Sequence, residues 1–304
     1  LDPIPFSQAP PLRCAVAVDV IGTASATGIG EQVLDEALTQ LRASGLSAHG
    51  SVTCTEDQLH RVIEEDPACR VILVGGDGTL HAALNAPVPP PELALVPTGR
   101  ANNVAHAFGI PRDPATAIAL AGSAPARPVD LLRVETADSV RYAVEGVSAG
   151  LQADARARYS GPNSGDLRAG TAALAGAIRR YRPYRASLSL DGVPQEPVDA
   201  AQVFFSNLPL FGFGFRVNPG ADPSDGLLES IVIRARTRRQ ALRMLAASYR
   251  GTHVNHAAVS VQRVGEAAIT EPLPLVVDGT PIGVSRASIT IDSERLRLVA
   301  PWGG

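Results

Sequence analysis

The stretch Arg70-Val71-Ile72-Leu73-Val74-Gly75-Gly76-Asp77-Gly78-Thr79-Leu80 decides the fold. Arg70–Val74 is a short apolar run of strand length. Two glycines end it, and a helical pattern opens at Leu80. Glycine lets a backbone approach a phosphate closely and adopt positive φ. The start of a helix adds unpaired N–H groups and the positive end of its dipole. Asp77 stands among these donors and would repel a phosphate unless it helps hold Mg²⁺ or a water shell. Thr79 is placed to cap the helix or to bind phosphate. A tight strand-to-helix turn without a ligand would use the same residue types, but two glycines followed by Asp-Gly-Thr favour the phosphate cradle.

Working outward, strand and helix patterns alternate. Leu12–Val20 reads as a buried strand, Gly30–Ser44 as a helix with Val33, Leu34, Ala37, Leu38 and Leu41 on one face, and Leu46–Thr53 as a strand. Glu56–Asp66 reads as a helix stopped by Pro67, and Leu93–Val96 as a strand leading to a helix over Asn102–Phe108. This order predicts a parallel sheet with helices on both faces. Beyond about residue 128 the pattern changes to short strands: Val129–Val134, Arg141–Val147, Ala186–Asp191, Gln202–Phe205, Leu227–Ile233, Ala258–Arg263, Leu273–Asp278, Ala287–Ile291 and Leu296–Val299. Asp191-Gly192 and Asp278-Gly279 punctuate them as turns. Helical patterns over Asp166–Tyr181 and Thr237–Tyr249 interrupt them. The prediction is an α/β, Rossmann-like domain over 1–128, rejoined by a C-terminal strand at about 292–304, and a β-sandwich-like domain over 129–291.

All 27 basic residues are arginine, and the 304-residue chain has no lysine. This excludes a P-loop lysine, a protein-kinase strand lysine and a Schiff-base lysine. Phosphate must be handled by arginine, backbone N–H groups or metal. Hydrophobic residues make up 45% and charged residues 19%, which supports a folded core. The net charge of −3 averages two unlike halves: residues 1–130 hold 7 arginines against 14 acids, and residues 131–304 hold 20 against 16. Residues 230–250 carry six arginines and no acid, and residues 150–186 carry seven against Asp154 and Asp166. A basic surface attracts an anionic partner such as a membrane face, although arginines also simply solubilise helices. Nucleic acid is not expected as a partner, because aromatics for base stacking make up only 4% of the chain.

Cys14, Cys54 and Cys69 form no C-x-x-C pair, which argues against a disulfide framework or zinc site. Leu1–Gln8 lacks the basic start of a signal peptide, and no run of 18 apolar residues occurs. The expectation is a cytoplasmic protein that meets lipid only peripherally. Oligomeric state is not legible.

Three further segments carry chemistry. Pro97-Thr98-Gly99-Arg100-Ala101-Asn102-Asn103 is a second glycine turn at the end of a strand. In a parallel sheet both turns fall at the carboxyl edge, where ligands bind. Arg100 is placed to supply the missing lysine's charge, unless it is an ordinary surface arginine. Asn207 through Leu228 holds Gly212, Gly214, Asp222, Asp225 and Gly226. Its carboxylates and carbonyls suit an oxygen-ligand metal, but taken alone the loop reads sooner as an Asx-type turn with Gly226 at its positive-φ position. Val277-Asp278-Gly279-Thr280 is, by itself, a hairpin signal. His253 and His256 lack a third ligand candidate and read as structural.

In this order and spacing, these pieces resemble the diacylglycerol kinase catalytic-domain family, most closely its soluble bacterial lipid kinases, relatives of sphingosine kinases. The likeness runs from about Val71 to Val299. Gly75–Thr79 is also shared with NAD kinases and phosphofructokinases. Glu145–Asp154, Asn207–Leu228, Gly251-x-His253 and Asp278-Gly279 resemble further family segments. The resemblance implies a two-domain ATP-dependent kinase that transfers a γ-phosphoryl group to a lipid hydroxyl such as that of diacylglycerol. It implies ATP at Gly75, Gly76, Asp77, Gly78, Thr79, Arg100, Asn102 and Thr53, with Thr55 an equal candidate to Thr53. It implies Mg²⁺ at Asp222, Asp225 and the backbone of Leu227, and a general base at Asp278. The chain departs from the family pattern at Asp19–Gly22, Arg100, Asn103 and Thr280. A member that binds nucleotide or lipid without catalysis, or a soluble-substrate kinase such as an NAD kinase, is the alternative.

Overall fold

A computed structural model describes residues 17–23, 29–65, 69–158, 167–212 and 214–301. Cys14, Pro67, Asp166 and the Leu12–Val16 part of the first expected strand lie outside the described residues. The chain divides into two units, Leu1–Pro128 with Leu296–Gly304, and Val129–Arg295.

The first unit begins with β1 (Ala17–Thr23), α1 (Ile29–Ala43), β2 (Ser47–Thr53) and α2 (Glu56–Glu65). It continues through β3 (Arg70–Gly75), α3 (Asp77–Leu84), β4 (Leu93–Pro97), α4 (Asn103–Ala107) and α5 (Pro114–Ser123). Pairing is parallel throughout, in the order β4-β3-β1-β2, and Leu298 of the returning last strand pairs with Leu93 on the outer side of β4. Every residue of β3 and β4 is buried, as a strand covered on both faces requires. Ile72 and Val74 of β3 join a core with Val33, Leu34, Ala37 and Leu41 of α1 and Ala117, Ile118 and Ala121 of α5. Helix α5 was not expected from the sequence. Its signal was the Asp113-Pro114 pair: Asp113 accepts the Thr116 N–H at 2.9 Å, and proline stands at the first helical position.

Arg70, the one charged residue of β3, is 1% exposed. Its Nε and Nη2 donate to Glu92 Oε2 at 2.9 and 2.7 Å, and Nη1 donates to the Ala121 carbonyl at 2.6 Å. The guanidinium thus ties the start of β3 to the approach to β4 and to α5.

The second unit is antiparallel. β5 (Ala126–Glu135) leads into it from the first unit, followed by β6 (Val140–Ala143), β7 (Gly146–Gly150), α6 (Leu151–Ala157) and α7 (Leu167–Arg180). Then come β8 (Tyr184–Ala186), β9 (Leu188–Leu190), β10 (Val193–Pro194), β11 (Val198–Ser206), β12 (Leu228–Arg234) and α8 (Arg238–Arg250). β13 (Val259–Val264), β14 (Glu266–Val277) and β15 (Thr280–Val299) complete the chain. The path is β13-β12-β11-β7-β14-β15. Period-two alternation sorts β11 between two cores: Val203 and Phe205 join Leu132, Leu228 and Ile289, while Phe204 joins Phe211, Ile231 and Met244 of α8.

Two expectations change here. The strand expected over Arg141–Val147 is two strands, because Val144 and Glu145 leave the ladder and Gly146 adopts φ 153°. The separate strands expected at Ala287–Ile291 and Leu296–Val299 are parts of the one 20-residue strand β15, whose first part pairs with β14 and whose end pairs with β4.

Removing the partner of a buried charge costs more than replacing the pair by apolar groups. Glu92→Ala therefore destabilises the protein by about 3 kcal/mol, and Arg70→Met/Glu92→Leu recovers most of that loss. Urea unfolding checks both; equal losses would show that the ion pair does not organise this corner.

Candidate functional site

At the carboxyl edge of the first unit's sheet, the two glycine turns touch. A Cβ on Gly76 would lie 3.0 Å from Gly99 Cα, and one on Gly99 would lie 2.6 Å from Gly76 Cα and 2.7 Å from Asn102 Oδ1. Only hydrogen atoms fit between these backbones. Thr98 N donates to the Gly75 carbonyl at 2.9 Å and continues the β3–β4 pairing into the turns. Thr79 folds back over Gly75, where a Cβ would meet its Oγ1 at 2.3 Å. Gly78 is exposed, with nothing near the position of a Cβ.

Asp77, which the sequence placed among the phosphate donors, turns to the second glycine turn. Its Oδ2 accepts Asn103 N at 3.0 Å and its Oδ1 accepts Val104 N at 3.1 Å, so it caps α4 from the first turn of α3. Asn102 takes the left-handed conformation, φ 49° and ψ 47°, and donates Nδ2 to the Gly99 carbonyl at 2.7 Å. Its Oδ1 is buried and has no hydrogen-bond partner among the described residues. Arg100 is exposed, and no carboxylate pairs with it among the described residues. Thr53 ends β2 at the same edge and is 2% exposed, but β1 separates it from β3. Thr55 is engaged: its Oγ1 accepts Gln58 N at 3.2 Å. Exposed Gly78 at the start of α3 and the exposed Arg100 guanidinium suit a nucleotide's phosphates.

The second unit gathers its own polar cluster. Asp278, at φ 40°, sits in the turn between β14 and β15. Its Oδ2 accepts Val144 N at 2.7 Å, and its Oδ1 accepts Glu145 N at 3.0 Å and Gly146 N at 2.8 Å. Arg156 of α6 donates Nε to the Gly279 carbonyl at 2.8 Å. Glu145, 4% exposed, accepts Gly212 N at 3.1 Å. Asn207 donates Nδ2 to the carbonyls of Asp130 and Val144 at 2.7 and 2.9 Å. Asp130 accepts Gly226 N at 2.8 Å and the Ser293 hydroxyl. The break between β6 and β7 is thus what aims three N–H groups at Asp278. Glu145, Asp130 and Arg156 were given no individual role from sequence, although the family-like segments Glu145–Asp154 and Asp278-Gly279 belong to this arrangement.

The expected metal loop is folded around its own donors. Asp222 Oδ1 accepts the Ser224 N–H and hydroxyl at 3.1 and 2.7 Å. Asp225 Oδ1 accepts Leu227 N at 2.9 Å, and its Oδ2 is ion-paired with Arg263. Arg263 Nε also lies 3.6 Å from Oε1 of Glu229, a carboxyl whose pKa is pushed up by burial and by Asp225. A guanidinium already holds the position between Asp225 and Glu229, and it repels a second cation. Among the described residues no three His, Cys, Asp or Glu side chains form a metal-holding set. The residues therefore do not fit Mg²⁺ in this arrangement, and the expected set of Asp222, Asp225 and Leu227 is an Asx-type turn closed by arginine. His253 is fully buried, and burial lowers its pKa.

Cys54 and Cys69 are free and exposed. No helix among the described residues is long and apolar enough to cross a membrane.

Comparison with known proteins places this geometry. Residues 18–134 match the diacylglycerol kinase catalytic domain, and residues 145–300 match the YegS C-terminal NAD kinase beta sandwich-like domain. A "Diacylglycerol kinase" of Mycobacterium tuberculosis is 29% identical over 244 residues, covering 77% of each chain. A "Probable lipid kinase YegS-like" of Stenotrophomonas maltophilia is 29% identical over 294 residues, covering 90% of this chain and 93% of the relative. A crystal structure of a diacylglycerol kinase from Bacillus anthracis has a TM-score of 0.70 at 15% identity, covering 96% of this chain and 98% of that one. An NAD kinase of Archaeoglobus fulgidus, solved with ATP, has a TM-score of 0.51 at 12% identity, covering 94% of each chain. With both of its domains matched in order, the chain belongs to the family of lipid kinases built from a diacylglycerol kinase catalytic domain and a YegS-type β-sandwich-like domain.

Proposed function

We propose that this lipid kinase uses ATP and transfers the γ-phosphoryl group to a lipid hydroxyl of the kind found in diacylglycerol. The observation that carries the donor half is the contact of Gly76 with Gly99, which joins the two turns beside the start of α3 and leaves Gly78 open to solvent. The family neighbours with diacylglycerol kinase names and the NAD kinase solved with ATP support the same reading. In it, backbone N–H groups of Gly76–Gly78 meet the phosphates, and Arg100 offsets their charge. Magnesium arrives with the nucleotide as part of the substrate. Thr53 borders the same edge on the adenosine side.

Asp278 is the proposed general base. The acceptor oxygen bonds to the γ-phosphorus, the bond to the β–γ bridging oxygen breaks, ADP leaves, and the hydroxyl proton passes to the carboxylate. Three backbone N–H groups hold that carboxylate in one orientation, and positioning supplies much of the catalysis in phosphoryl transfer.

Purified protein incubated with labelled ATP, Mg²⁺ and a panel of diacylglycerol, phosphatidylglycerol and sphingosine is expected to label a lipid. Tight ATP binding with no labelled lipid would instead make it a non-catalytic binder, and labelled NAD in a parallel reaction would make it a soluble-substrate kinase.

Asp278→Asn should lower turnover by about 10²–10⁴-fold while leaving ATP affinity unchanged. The substitution is not structurally neutral. Its amide NH₂ would face a backbone N–H, so a stability loss of about 1–3 kcal/mol accompanies it. Unchanged turnover would remove Asp278 from the chemistry.

Gly99→Ala drives a methyl group into Gly76 and Asn102. Displacing the two turns by about an ångström should cost on the order of 100-fold in turnover, together with weaker ATP binding in calorimetry. Parental binding and rate would show that the contact does not shape the site.

Without nucleotide, thermal unfolding of the parent protein should be the same in EDTA and in MgCl₂, because Arg263 already supplies the loop's cation. Arg263→Gln should make the midpoint rise with Mg²⁺. A Mg²⁺-dependent midpoint in the parent would restore the metal role of Asp222 and Asp225.

A further inference from the structure

The second unit has a cleft of about 650 Å³ that the kinase reading does not use. It opens between β8, the start of β11, the end of β12 and the first turns of α8. Its charged lining is Arg185, Arg234, Arg236 and Arg243 against the single acid Asp199. Asp199 lies 3.5 Å from Arg185, with both side chains half exposed or more. Among the described residues, no carboxylate pairs with Arg234, Arg236 or Arg243. Three like charges facing one concavity repel one another, and an anion relieves that repulsion. Guanidinium forks match phosphate oxygens in pairs. The volume exceeds what a bare phosphate needs and suits a phosphate carrying an organic group.

The adjoining helix indicates the source of that phosphate. α8 carries Arg238, Arg239, Arg243 and Arg250 and no acidic residue. Leu242 and Tyr249, seven residues apart and so on one face, are 53% and 60% exposed. A basic helix with exposed apolar side chains suits the boundary of an anionic bilayer. The Thr237–Gln240 capping box fixes its start next to Arg236.

We infer that the Arg234–Arg236–Arg243 cleft binds the phosphate headgroup of an anionic phospholipid. Binding here does not require phosphoryl transfer, so it is measured separately from turnover.

The test is co-sedimentation with phosphatidylcholine vesicles and with the same vesicles containing phosphatidylglycerol, alongside calorimetric titration with glycerol 1-phosphate. The parent protein should sediment only with the anionic vesicles, less so at high salt. Arg234→Gln/Arg236→Gln/Arg243→Gln should bind them about 100-fold more weakly, at the usual contribution of each surface arginine to an anionic membrane. Circular dichroism verifies its fold. A charge-matched control, Arg61→Gln/Arg112→Gln/Arg286→Gln, should bind as the parent does. Equal losses in both triple variants would reduce the effect to net charge and overturn the site. Parental binding by the cleft variant, or equal binding to neutral vesicles, would also overturn it. Glycerol 1-phosphate binding without vesicle binding would replace the lipid by a soluble phosphate ester.

Discussion

The first unit depends on one steric fact, the contact between the backbones of Gly76 and Gly99. Two strands of a parallel sheet deliver their carboxyl ends side by side, but side chains would ordinarily hold the following turns apart. Without Cβ atoms the turns meet, Thr98 extends the ladder by one hydrogen bond, and Asp77 reaches across to cap α4. Each consequence tightens the others. The cap fixes Asn102 in a left-handed conformation, and that conformation places its amide against Gly99. The result is a rim of glycine backbone at the sheet edge, which is how a chain without lysine can present a phosphate site.

The second unit is tied together by another route. Its polar groups are buried in a belt in which nearly every bond joins a side chain to a backbone group. Asp278 takes three N–H groups from Val144–Gly146, Asn207 holds two carbonyls, and Asp130 holds Gly226. Such pairs survive burial because the carboxylates and the Asn207 amide nitrogen find backbone partners. They also explain why β6 and β7 separate at Glu145: the N–H groups withdrawn from the ladder are spent on Asp278. Arg263 does for the Asp222–Glu229 loop what a divalent ion would do elsewhere, at the cost of closing that loop to the ion.

Legibility followed the range of the interactions. The alternating strands and helices of the first unit rest on local apolar periodicity, and the observed boundaries differ from the expected ones by a residue or so at α1, β2, α2 and β3. The elements missed were those whose pattern is weak or shared. Helix α5 is a run of small residues with little amphipathic contrast, and α6 is only seven residues long. β15 looked like two strands because Asp292, Ser293 and Glu294 interrupt its apolar pattern at the point where the strand passes from β14 toward β4.

By itself the sequence determined that a glycine cradle follows a buried strand, that a second glycine turn lies at the same sheet edge, and that arginine must stand in for lysine wherever a cation is needed. These follow from residue type and spacing, which local backbone chemistry reads directly. Only the tertiary structure decided where the carboxylates point. Asp77 faces α4, Asp225 faces Arg263, and Asp278 faces three N–H groups, because their partners lie 26 to 134 positions away in the chain. The same long-range packing brought Arg185, Arg234, Arg236 and Arg243 from separate elements into one cleft, where a net charge spread along the sequence became a local field.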